Sequence, residues 1–135
     1  MSIRYAIEKD LIKLYELNAL ISKDQLVRVI KDLKVLVFED MSEIIGTLRF
    51  SYLWGYIPFM DLLYVKNTFR KTGIGTRLTF YFEKEMAKNG HKFVLTSTQV
   101  DEQAQHFYRR IGYIDNGSIL LPNQAAELFL IKHIK

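Results

Sequence analysis

The stretch from Ile57 to Gly90 restricts the fold of this chain more than any other part of it. Ile57 to Val65 is a β-rich run, Lys66-Asn67-Thr68-Phe69-Arg70-Lys71-Thr72 is polar, and from Gly73 one helical face collects Ile74, Leu78, Phe82 and Met86. Asn89-Gly90 supplies a left-handed stop. Phe93-Val94-Leu95 is apolar at consecutive positions, as a strand buried on both faces is. Strand, helix and strand in that order form a crossover, which lays the two strands side by side in parallel. A second stripe, Ala104, Phe107, Tyr108 and Ile111, follows Asp101, its expected cap, and ends at Gly112.

The flanking segments are of the same kind. Ile3, Tyr5 and Ile7 alternate as in a short strand, and Leu11, Leu14, Leu17, Leu20 and Ile21 make a helical stripe behind Asp10. Ser22 and Gln25 form a capping box ahead of Leu26, Val29, Ile30 and Leu33. Val35 to Phe38 and Ile44 to Phe50 read as a hairpin across polar Glu39 to Glu43, and with Ile57 to Val65 they make a three-strand meander. Tyr113-Ile114, Ile119 to Leu121 and Glu127 to Ile134 supply one or two closing strands, with turns at Asp115-Asn116-Gly117 and Pro122-Asn123. The expectation is an α+β fold in one domain over residues 1–135, its mixed sheet mostly antiparallel and flanked by helices.

Composition removes several chemistries. There is no Cys, so disulfides, thiolate metal sites and cysteine nucleophiles are out, and a reducing compartment is suited. His91, His106 and His133 lack the i, i+4 spacing of a helical zinc site, and no metal is expected. Phe50 to Met60, the longest uncharged stretch, is too short for a membrane helix, and Met1-Ser2-Ile3-Arg4-Tyr5 does not begin a secretion signal, so the cytoplasm is expected. The formal net charge of +4 favours anionic partners, but acids are interspersed with the bases, so a phosphorylated small ligand fits better than nucleic acid.

The basic turn is where such a ligand would sit. Gly73 and Gly75, flanked by Arg70, Lys71 and Thr72 between a strand and a helix, offer backbone N–H groups at the positive end of a helix dipole. Glycine lets the backbone approach a phosphate without a Cβ, while Arg70 and Lys71 add charge-assisted contacts. Leu78 stands where a dinucleotide-binding fingerprint needs its third glycine, and no G-x-x-x-x-G-K-[ST] occurs.

Arg70-Lys71-Thr72-Gly73-Ile74-Gly75 resembles the Q/R-x-x-G-x-G/A signature of the GNAT superfamily of N-acetyltransferases. Leu63-Tyr64-Val65 is similar to that family's preceding strand, and Asp101 to Tyr113 to its N-x-x-A-x-x-F-Y-x-x-x-G-F segment, in the family's order and spacing. The resemblance implies transfer of an acetyl group from acetyl-CoA to an amine of a small molecule or protein, by direct attack in a ternary complex. By the same resemblance, backbone groups of Leu63 and Val65 hold the pantetheine arm, and Lys71, Thr72, Gly73, Ile74, Gly75 and Thr76 wrap the pyrophosphate. The resemblance also implies that the Val65 N–H serves a developing oxyanion and places Tyr108 at the family's general-acid tyrosine.

Asp61 interrupts an apolar strand two residues before Leu63, where many family members resemble it with a Glu, and is the candidate base for the incoming amine. A free carboxylate is too acidic for that task at neutral pH, so it must be raised by burial or act through an ordered water. The bland accounts are a core aromatic for Tyr108 and a strand-edge salt bridge for Asp61. Asp101 departs from the family's Asn and can only accept, so it suits helix capping better than cofactor contact. Tyr52, Trp54 and Tyr56 recur at spacing two beside Phe59, which would put them on one strand face, as core, homodimer interface or acceptor pocket. His106 faces away from Tyr108 around the helix. The reading from another class is a non-catalytic acyl-CoA sensor, since the phosphate cradle alone would bind the cosubstrate.

Overall fold

In a computed structural model, residues 1–134 are described. The elements are β1 (Ser2–Tyr5), α1 (Leu11–Leu17), α2 (Lys23–Lys31), β2 (Val35–Asp40), β3 (Glu43–Leu53), β4 (Ile57–Val65), α3 (Ile74–Lys88), β5 (Phe93–Gln99), α4 (Ala104–Arg110), β6 (Ile114–Ile119) and β7 (Glu127–His133). The seven strands follow the order β1-β2-β3-β4-β5-β7-β6. The fold is α+β with a mostly antiparallel sheet; the β4–α3–β5 crossover supplies the parallel pair, Phe59 opposite Leu95 and Met60 opposite Thr96. No helix among the described residues is long and apolar enough to cross a membrane.

Residue contacts gather into two compact units, the first comprising residues 1–50 and 62–82. Here β1 and β3 flank β2 in antiparallel register, and α1 and α2 bury Leu14, Leu26 and Ile30 against Ala6, Val35, Val37 and Ile44. Ser22 caps α2 as its box predicts, its Oγ accepting from the Gln25 N–H at 3.2 Å. The opposite strand face carries Phe38, under the Arg77 guanidinium at 4.9 Å, and Phe50, whose ring centroid is 5.1 Å from that of Phe82. The first turns of α3 therefore close this side of the core.

Among the described residues, the second unit comprises 51–61 and 83–134. β7 pairs along the whole of β5, from Phe93 opposite His133 to Gln99 opposite Glu127, and carries β6 on its other side. All of β6 is exposed.

Two turns differ from expectation. The polar segment between β2 and β3 contracts to Met41-Ser42, both with positive φ (50° and 66°), a two-residue turn of the type whose twist matches a hairpin. Asp115-Asn116-Gly117 is no turn: it lies inside β6, where the register shifts between Asp115 and Ser118, so one extra residue is absorbed as a bulge.

Candidate active site

The first unit holds the loop that enters α3. Lys71 and Gly73 both take left-handed backbone conformations (φ 63° and 88°) immediately before α3 opens at Ile74. The first intrahelical bond here is from Arg77 N–H to the Gly73 carbonyl at 3.0 Å, so the N–H groups of Ile74 to Thr76 open the helix without helical partners. From Lys66 to Phe82 the sequence has no acidic residue. Lys71 is exposed and free of side-chain bonds among the described residues, and a Cβ built on Gly73 would meet nothing within 4 Å. Free donors, an unpaired cation and open space in front of them fit a phosphate group.

Arg70 is used differently. Its Nε donates to the Val65 carbonyl at 2.8 Å and its guanidinium lies 5.3 Å from the Tyr64 ring centroid, so it fastens the loop to the end of β4. The edge of β4 can also be assigned. Lys66 N–H donates to Ile45 of β3 at 2.8 Å; because peptide groups alternate along a strand, Val65 and Leu63 direct theirs to the opposite edge. The parallel ladder ends at Met60, and β4 runs on to Val65, which gives those peptide groups a strand-like edge for an extended ligand.

The second unit holds Tyr108 and Asp61. Tyr108 on α4 is buried beside Thr96 of β5, whose Oγ1 donates to the Met60 carbonyl at 3.1 Å. The phenol therefore sits at the last rung of the β4–β5 ladder, and the next residue of β4 is Asp61. Burial pushes the Tyr108 phenol up to about 12; the Thr96 hydroxyl pulls it down and the charge of Glu102 adds to the rise. Asp61 is exposed and accepts from Ser51 Oγ at 3.0 Å.

Two expectations are corrected. α4 begins at Ala104 with Gln103 at its N-cap, so Asp101 does not cap it; Glu102 instead ties the turn back by accepting from the Gln99 N–H at 2.9 Å. Tyr52, Trp54 and Tyr56 do not share a strand face, because Trp54 occupies a left-handed turn position (φ 55°) beside Gly55. Tyr52 lies against His91, with ring centroids 5.6 Å apart, whereas Trp54 and Tyr56 are exposed.

Sequence reasoning also passed over Glu83, Tyr113 and Lys132. Glu83 is buried on α3 and accepts from Tyr113 Oη and Lys132 Nζ, each at 2.9 Å. The signal was available: Glu83 follows Thr79 at i+4 and precedes Met86 at i+3, a carboxylate on a helix's apolar stripe.

Compared with known proteins, the sequence matches the acetyltransferase (GNAT) family over residues 4–113. The chain belongs to the GNAT acetyltransferase family. Solved GNAT-like structures superpose along nearly its whole length. Ard1 from Thermoplasma volcanium gives a TM-score of 0.87 at 16% identity, covering 99% of this chain and 97% of that one. An aminoglycoside 6'-N-acetyltransferase complexed with coenzyme A gives 0.84 at 20%, covering 100% and 98%. The ribosomal-protein-alanine N-acetyltransferase from Brucella melitensis gives 0.84 at 19%, covering 99% and 100%. At these identities the likeness establishes the GNAT fold alone. Comparison with curated proteins returned no match.

Proposed function

We propose that residues 1–135 work as one acetyl-CoA-dependent N-acetyltransferase domain that acetylates a primary amine of a small molecule or protein by direct attack. The observation that carries this reading is the opening of α3, where left-handed Lys71 and Gly73 lead into three helical N–H groups with no acidic side chain nearby in sequence. Support also comes from family membership and from a similar fold solved with coenzyme A.

Ile74, Gly75 and Thr76 N–H groups and the Lys71 ammonium take the pyrophosphate, with Thr72 completing the loop through its hydroxyl bond to the Phe69 carbonyl. Leu63 and Val65 pair with the pantetheine amides, and the Val65 N–H faces the negative charge that grows on the carbonyl as the amine attacks. Tyr108 is the acid. Because its phenol titrates near 12, it stays protonated throughout the neutral range and is available as a donor. It is also a weaker acid than an ordinary thiol (reference near ~8.5), so it acts first as a hydrogen-bond donor to the leaving sulfur. Proton transfer completes because apolar surroundings raise the thiolate's basicity as well. Asp61 receives the amine's proton through water.

The test is an amine panel of amino acids, polyamines, aminoglycosides and peptides, read as release of coenzyme A thiol; the absence of Cys removes protein background. Amine-dependent release supports the reading. Tight coenzyme A binding with no release across the panel, and identical behaviour of Tyr108→Phe, would favour the sensor instead. The compartment is proposed to be cytoplasmic, and a homodimer is to be sought by light scattering.

A further inference from the structure

We infer that Tyr113 is a positioning residue for Tyr108, held in place by a buried anchor of Glu83 and Lys132. This builds on the reading of Tyr108 as the acid. α4 ends in a Schellman motif: the Tyr113 N–H donates to the Tyr108 carbonyl at 3.0 Å and the Gly112 N–H to the Arg109 carbonyl at 3.2 Å. The same two tyrosines meet edge-on, with ring centroids 5.6 Å apart. Tyr113 thus grips Tyr108 by both backbone and side chain.

Tyr113 is itself tied down from two other elements. Tyr113 is 1% exposed, and its hydroxyl donates to Glu83 Oε2 at 2.9 Å; Lys132 Nζ from β7 donates to Glu83 Oε1 at 2.9 Å and lies 5.7 Å from the Tyr113 ring centroid. Both carboxylate oxygens of Glu83 are therefore occupied by donors, the condition under which a buried carboxylate is tolerated. α4 is only seven residues long, and so short a helix holds its shape by packing more than by propensity. An acid on such a helix has its backbone held at the helix end by the Tyr113 N–H and its ring held edge-on by the Tyr113 ring. The hydroxyl of Tyr113 touches no reacting group in this scheme; it acts through Tyr108.

The test is a double-mutant cycle of Tyr113→Phe with Tyr108→Phe, measuring kcat, KM for acetyl-CoA and thermal midpoint. Tyr113→Phe keeps the ring and the backbone bond and leaves Glu83 paired with Lys132. We expect kcat to fall about tenfold with KM for acetyl-CoA unchanged. In the Tyr108→Phe background the same change should cost almost nothing further, because residues acting as a unit are non-additive. A Tyr113→Phe enzyme with full kcat, or a loss that multiplies with that of Tyr108→Phe, overturns the inference while leaving the acid assignment intact. If Tyr108→Phe alone turns over at the parent rate, the acid assignment falls and the inference falls with it. Should Tyr113→Phe not yield folded protein, Lys132→Gln, which keeps a donor for Glu83, enters the same cycle and is scored by the same coupling.

Discussion

Arg70 Nε donates to the Val65 carbonyl at 2.8 Å, tying the loop that leads into α3 to the last residue of β4. The two halves of the proposed cosubstrate grip, the strand edge at Leu63 and Val65 and the N–H groups at Ile74 to Thr76, are thus joined by a side chain and not only by the chain between them. Arg70→Ala and Lys71→Ala are accordingly expected to differ. Lys71 is unpaired, so its loss removes one ionic contact and weakens coenzyme A binding about three- to tenfold, with a shallower dependence on salt. Arg70→Ala frees the Val65 carbonyl and is expected to lower kcat as well as affinity. Titration calorimetry at two salt concentrations, with steady-state kinetics, separates the two outcomes.

Gly73 and Gly46 are glycine for different reasons. Gly73 has φ 88° and open space where a Cβ would go, whereas a Cβ on Gly46 would lie 3.2 Å from Ile74 Cγ2 and from Leu78 Cδ1. Gly73→Ala should therefore cost about 1–2 kcal/mol of backbone strain and disturb the phosphate loop. Gly46→Ala should cost about 1–3 kcal/mol by pushing the start of α3 off β3. Urea melts and coenzyme A titrations of both variants check this: Gly73→Ala loses more affinity than stability requires, while the stability loss of Gly46→Ala comes from packing.

Tyr108 predicts an alkaline weakness. An exposed phenol titrates near ~10, and burial holds this one near 12, so the unfolded chain releases the proton first. Its contribution is complete below pH ~10 and is lost as pH rises through about 12, a change of about 2–3 kcal/mol at full extent. Burial and the charge of Glu83 raise Tyr113 further, in the same direction. Denaturant melts between about pH 9 and about pH 11.5 should show stability falling with pH, and Tyr108→Phe should flatten part of that fall.

Asp10 gives the acid side. Desolvation would raise its carboxyl, but the Arg4 guanidinium, bonded at 2.8 and 3.1 Å, and the Ile7 N–H more than reverse this, so it lies below the usual carboxylate range. A lowered folded-state value stabilises above the unfolded value and is lost as pH falls through the folded one. Asp10→Asn should destabilise the protein at pH 7 by about 1–2 kcal/mol and have a smaller effect near pH 3, measured by thermal melts.

Much of this was legible in the sequence because local chemistry agreed with the tertiary outcome. Ser22 and Gln25 announce the start of α2, and Ile57 to Val65 becomes β4 without change of bounds. The turn at Met41-Ser42 was not legible, since neither residue advertises a left-handed backbone and the hairpin register imposes it. Asp115-Asn116-Gly117 has turn chemistry, yet its pairing with β7 overrides that preference. At the site, Gly73 stands out by its basic flanks and Tyr108 by the resemblance of its segment to the family's, but the roles of Arg70 and Tyr113 depend on partners at Val65 and Glu83 that no local pattern names.

The central claim is that the opening of α3 binds the pyrophosphate of coenzyme A. Calorimetric titration of the full chain with coenzyme A, beside dephosphorylated pantetheine as the probe lacking the diphosphate, tests it most directly. Saturable heat with coenzyme A, strongly reduced for pantetheine and for Lys71→Ala, is the result expected. No heat and no rise in melting temperature at millimolar coenzyme A, or equal binding of both compounds, would contradict it.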